Sequence, residues 1–180
     1  MKLEGYRAGL DRGAPAWKEA AWIAVKLVFF LAPLPLPNSL RTALLRAFGA
    51  RVGKGCVIRE GVDISFPWRL ALGDFVWIGA RARLLTLAHI EIGSNSCISQ
   101  EAFLCTGSHN HRAESFDLIT RPIIIGEECW VAARAFVGPG VTIGSHSIVA
   151  ACAVVVRDLP PRSLAVGNPT HTRSDEWHHE

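Results

Sequence analysis

Ile125 to Val156 reads IGEECW, VAARAF, VGPGVT, IGSHSI, VAACAV and VV, in blocks opening at Ile125, Val131, Val137, Ile143, Val149 and Val155. A branched aliphatic opens every block, and Gly or Ala follows it in the first five. The fifth place holds a small or short residue: Cys129, Ala135, Val141, Ser147 and Ala153. Six is even, so on extended chain all the opening residues point to one side. A helix, at 3.6 residues per turn, would scatter them around its circumference. A period this short, held this long, predicts an all-β solenoid of parallel strands.

The pattern recurs upstream in other phases. Val52, Ile58 and Ile64 open one set, Leu72, Ile78 and Leu84 a second, and Ile92, Ile98 and Leu104 a third. Three strands per set predict a triangular coil, repeated about five times. The phase slips by two residues between Ile64 and Leu72 and again between Leu84 and Ile92, where corners tolerate small bulges. A larger slip lies between Leu104 and Ile125 and holds GSHNHRAESFDLITRP, Gly107–Pro122. That is a loop thrown out of the solenoid, the usual place for chemistry on a rigid scaffold. Three parts follow: residues 1–49, an arm and two helices; 50–160, the coils with an inserted loop at about 107–122; and 161–180, a tail.

Ahead of the coils, Pro15 suits the start of a helix running to about Ala32, where Pro33 stops it. A second helix is expected after Asn38 or Ser39, both good N-caps. Its apolar face is Leu40, Ala43, Leu44, Ala47 and Phe48, with Arg41 and Arg46 opposite. These helices have two readings. In one they cover strand edges at the open end of the solenoid or on a neighbouring subunit; in the other they lie as a basic, aromatic-rich surface on a membrane. The two are compatible. The run AWIAVKLVFFLAPLPLP is interrupted by Lys26 and ended by Pro33, Pro35 and Pro37, short of the ~20 apolar residues of a spanning helix. No signal-peptide layout is present. The expectation is a cytoplasmic protein, with peripheral inner-membrane contact under the second reading.

A net charge of +3 without a Lys/Arg block gives no footprint for nucleic acid. Five cysteines without a CxxC read as reduced core thiols. The tail HTRSDEWHHE is polar and expected to fray.

PWRLALGDFVWIG (67–79), IEIGSNSCISQEAFLCTGSH (90–109), IIIGEECWVAARAFVGPGVTIG (123–144) and VVVRDLPPRSLAVGNP (154–169) carry a resemblance. They resemble the left-handed β-helix hexapeptide-repeat acyltransferases, especially the O-acetyltransferases of exopolysaccharide (colanic-acid type) synthesis. The chain is similar also to the galactoside and maltose acetyltransferases. The resemblance implies left-handed coils, a homotrimer with active sites between subunits, acetyl-CoA as acyl donor, a sugar or glycolipid acceptor and no required metal.

It also implies site residues. His109, closing TGSH, is the expected general base; an imidazole, with an ordinary pKa of about 6.5, suits removal of a hydroxyl proton. His111, two places on, is the alternative. The backbone N–H of Ala133 is expected to hold the oxyanion. Coenzyme A is expected along Ala133, Ala151, Val156 and Arg157, the last pairing with a phosphate. Val156 stands where the family often has Thr, and only Arg173 represents its basic tail. Trp130 and Trp77 are expected to meet the acceptor, with Phe66, Trp68 and His89 as further corner residues. Each aromatic also has a plain packing reading. Two other functions stay open: a γ-class carbonic-anhydrase-like zinc protein using His89, His109 and His111, and a scaffold without catalysis.

Overall fold

The computed structural model describes residues 4, 6, 9–32, 34 and 36–174. From Arg51 the chain winds as a β-solenoid whose two- to four-residue strands stack into three parallel sheets. Arg51–Val52, Leu70–Leu72, Ile90–Ile92, Ile123–Ile125 and Thr142–Ile143 form the first sheet. The second runs through Val57–Ile58, Trp77–Ile78, Cys97–Ile98, Trp130–Val131, Ile148–Val149 and Ser163–Val166. The third takes Asp63–Ile64, Arg83–Leu85, Phe103–Cys105, Phe136–Val137 and Val154–Val155. Five coils are therefore complete, and the second sheet begins a sixth.

Register follows the sequence phases. Val52 pairs with Leu72, Leu72 with Ile92, Ile92 with Ile125, and Ile125 with Ile143. All six opening residues of the 125–156 stretch are buried, and so are the five short residues of the fifth place. The short residues stand just before the next strand, where the coil turns. The glycine in second place has its own cause. A Cβ on Gly126 would stand 2.6 Å from Ser145 N, and one on Gly93 2.5 Å from the Gly126 carbonyl carbon. The next coil's backbone occupies that space, so only glycine fits. The two-residue slips are corner bulges, as expected. The first is a 3-10 turn, Pro67–Arg69.

The tail departs from expectation. Instead of fraying from His171, it pairs: Ser163–Val166 adds to Ile148–Val149, and His171–Ser174 returns antiparallel against it. This hairpin gives the last coil's outward N–H and C=O groups partners. Residues 175–180, and the Arg173 side chain, lie outside the described residues.

At the other end α1, Ala16–Lys26, continues into a π-helical turn, Leu27–Leu31, and α2 spans Asn38–Ala47. Trp22, Phe30 and Leu45 are buried against the first coil, and Gly61 N donates to Phe30 O at 2.7 Å. The wider π turn takes an extra residue, bringing Phe30 back to Trp22's side, where their rings meet edge-on at 5.2 Å. The helices thus cover the open end of the solenoid.

Two details of α2 correct the sequence expectation. Asn38 is its first helical residue rather than its N-cap; its amide bonds Cys56 O and Ile58 N on the edge strand. Arg41 is 4% exposed, not on the outer face, while Ala43 and Ala47 are exposed. Its guanidinium donates to the carbonyls of Phe29, Leu34 and Ile58. Among the described residues the carbonyls of Phe29 and Ile58 have no other donor, while Leu34 O also accepts from Leu36 N at 2.8 Å. The need to supply that donor outweighs hydrophobic periodicity in setting the helix phase.

Candidate active site

Leaving the third sheet after Cys105, the chain forms a β-ribbon in place of a plain loop. Gly107–His109 pairs antiparallel with Leu118–Thr120, His109 opposite Leu118. His109 therefore sits on paired strand, with the turn of 110–117 beyond it. Its Nδ1 lies 2.9 Å from the Phe116 carbonyl oxygen. A carbonyl only accepts, so in the neutral ring Nδ1 carries the proton and Nε2 keeps its lone pair. The imidazole is stacked on the Phe116 ring at 4.2 Å and 4°, with Tyr6 tilted against it at 5.7 Å. Phe116 has φ of +49°, a strained backbone for a bulky residue, which turns its carbonyl back toward His109.

His109 lines an open cleft of about 390 Å³ with His111, Arg121, Gly138 and Val156. Gly138 and Val156 follow strands of the third sheet, so the cleft lies at the corner between the third and first sheets. His111 is exposed in the turn, with no partner of its own among the described hydrogen bonds. Of the expected site residues, the cleft gathers His109 and Val156. Arg157 is exposed at the next position.

Ala133 and Ala151 lie elsewhere, at the corner between the second and third sheets. They are equivalent residues of successive coils, linked through Cys152 N, which donates to Ala133 O at 2.9 Å. Among the described residues neither alanine's own N–H has an acceptor. Two stacked backbone donors are thus left without acceptors along one edge. The neighbouring column is charged: Glu101 accepts from Arg81 at 2.7 Å and from Arg134 at 2.6 Å. These bonds, Arg81's first and Arg134's next, hold the Glu101 carboxyl below its ordinary range, and Glu101 in turn raises Arg134.

Trp77 and Trp130 lie at strand positions of the second sheet, not at corners. They are 58% and 47% exposed on its outer face and flank Cys97 in register, Trp130 donating to Ser99 Oγ at 2.8 Å. Phe66 and Trp68 stack on each other at 5.2 Å, and Trp68 Nε1 donates to Arg12 O at 2.8 Å. They pin the N-terminal arm to the first bulge. His89 lines a separate hollow with Arg69, away from the cleft of His109 and His111. Among the described residues no three His, Cys, Asp or Glu side chains stand together as a metal site. The histidine triad of the zinc reading is not assembled.

Tyr6, Phe116 and Arg121 were not among the residues picked from sequence. Only the antiparallel return of the ribbon, which short-period patterning does not encode, brings Phe116 onto His109 and Arg121 to the cleft.

The family model for the bacterial transferase hexapeptide (six repeats) matches residues 122–157. An Escherichia coli (strain K12) protein, WcaF, whose name assigns it to colanic acid biosynthesis as an acetyltransferase, is 46% identical over 158 residues, covering 88% of this chain and 87% of its own. The galactoside O-acetyltransferase of the same strain is 27% identical over 132 residues, 72% of this chain and 65% of its own. Among solved structures, a hexapeptide-repeat acetyltransferase of Vibrio cholerae O1 biovar eltor, complexed with acetyl coenzyme A, superposes with a TM-score of 0.81. It is 27% identical and covers 97% of this chain and 98% of its own.

Proposed function

We propose, from the premise that the chain belongs to the hexapeptide-repeat acetyltransferases, that it transfers acetyl from acetyl-CoA to a hydroxyl of a sugar or lipid-linked glycan in bacterial surface polysaccharide synthesis. The colanic-acid name of WcaF supports the acceptor class, and the acetyl-CoA bound to the Vibrio cholerae relative supports the donor. The observation that carries the chemistry is His109, with Nδ1 on the Phe116 carbonyl and Nε2 left basic in an open cleft.

Nε2 takes the proton of the acceptor hydroxyl as its oxygen attacks the thioester carbonyl carbon. The resulting oxyanion is met by the unpartnered N–H of Ala133. Its collapse breaks the carbon–sulfur bond, and the coenzyme A thiolate leaves with the proton held on the imidazolium. Ala151 N–H, one coil further, meets the pantetheine arm, while Val156 and Arg157 lie toward the nucleotide. Trp130 and Trp77 offer flat apolar faces to the acceptor or the pantetheine. The donor is cytoplasmic, which puts the reaction on that side of the membrane.

Base and oxyanion donor stand at different corners of one prism. The site is therefore completed between copies, His109 of one subunit facing the Ala133 edge of the next, in a closed homotrimer.

Turnover of labelled acetyl-CoA with a panel of sugars and extracted glycolipids tests this. His109→Ala should lower kcat by about 10²–10⁴-fold, with coenzyme A affinity and folding unchanged. His111→Ala should keep most activity. If His111→Ala abolishes activity while His109→Ala spares it, the base is His111. If neither matters, the transfer mechanism is wrong.

A further inference from the structure

Helix α1 and its π turn are apolar on two sides. One side is buried on the first coil through Trp22 and Phe30. The other faces outward and carries Trp17, 72% exposed, with Ile23, Leu27, Val28, Leu31 and Leu34. These are six of the eleven large hydrophobics exposed among the described residues, set within eighteen positions of one edge of the molecule. The stripe continues into an open hollow of about 630 Å³, entered past Leu34 and walled by Leu36, Val57 and Arg59. Burying one side of a helix explains its amphipathicity; it does not explain a second apolar side turned to solvent.

The helical segment with the stretch just before it is basic: residues 9–50 hold five Lys/Arg and two Asp/Glu, a net +3, whereas residues 51–180 hold twelve and thirteen, a net −1. Arg12 and Lys26 pair with Glu19 and Asp63, and Arg41 is buried, but exposed Arg46 donates only to the carbonyls of Val52 and Gly53 and Lys18 lies over the Trp68 ring. No helix among the described residues is long and apolar enough to cross a bilayer.

We propose that this edge docks on an anionic lipid surface, with α1 and its π turn lying in the headgroup plane, Trp17 and the aliphatics immersed and the solenoid standing off behind them. Tryptophan and aliphatic side chains beside uncompensated cations are what an anionic interface selects. A second copy of the chain fits less well. The stripe is one helix wide and six side chains long, against about 20–30 residues a side in a stable protein interface. Two like-charged ends would also repel. The inference is independent of the acetyl-transfer reading, because its readout is binding.

Co-sedimentation with vesicles tests it, using the full-length protein. Vesicles of phosphatidylcholine with about one third phosphatidylglycerol should bind the parent several-fold more tightly than phosphatidylcholine alone, and added salt should weaken the binding. The double substitution Leu27→Glu, Val28→Glu changes two exposed positions. It should lower partitioning at least about tenfold with an unchanged thermal unfolding midpoint. Leu27→Phe, Val28→Phe should keep binding. The proposal is overturned if the parent does not bind, if the Glu variant binds as well as the parent, or if that variant instead lowers the mass of the assembly in solution. The last outcome would make the stripe a contact between copies.

Discussion

At the scale of single residues, side chains with ordinary roles in the sequence acquire others through their contacts. His109 is a plain histidine until the Phe116 carbonyl sets its tautomer. Glu101 is a surface carboxylate until Arg81 and Arg134 bond it from the coils on either side. Because those bonds depress its folded-state pKa, their stabilisation is complete above the ordinary glutamate range. It is lost as pH falls through the depressed value. Glu101→Gln should therefore lower the denaturant midpoint at neutral pH, and the gap to the parent should close in acid. A gap that persists in acid would mean that the carboxylate is not the source. Salt should shrink the neutral-pH gap, since these charges are solvent-facing.

At the scale of elements, the strands obeyed their pattern and α2 did not. An inward aliphatic on a two-residue strand has one place to go, because the alternative face is water. A helix can rotate, and α2 rotates so that Arg41 rather than Leu40 and Ala43 faces the first coil. Arg41→Met keeps much of the bulk but strands the carbonyls of Phe29 and Ile58. It should cost about 3 kcal/mol, the order expected when buried acceptors lose their donors. Arg46→Ala, at an exposed residue, should cost less than about 1 kcal/mol. Chemical denaturation of both variants checks this; equal costs would show that burial of the guanidinium contributes nothing special. Removing both helices is a poorer test of membrane contact than a surface substitution, since Trp22, Phe30 and Leu45 belong to the core.

At the scale of the whole molecule, the proposed pairing of His109 at one corner with Ala133 at another predicts assembly. Light scattering should give three times the 19.6 kDa chain mass, and dilution below the assembly concentration should abolish activity together with that mass. A monomer of full specific activity would overturn the shared site. The sequence alone determined the strand faces, the coil, its two-residue corner slips and the position of the inserted loop. Each of these depends on a period of six and on burial of one face, which are local properties of the chain. Through a motif it also offered His109 as the candidate base. Only the tertiary structure decided the contacts between segments far apart in the chain or in different coils. These include the ribbon that returns Phe116 to His109, the glycine left no room by the next coil, and the guanidinium of Arg41 turned inward. They include also the hairpin closing the last coil and the second apolar side left open on α1. Such contacts depend on what a neighbouring segment leaves unsatisfied or uncovered, and that cannot be read from either segment by itself.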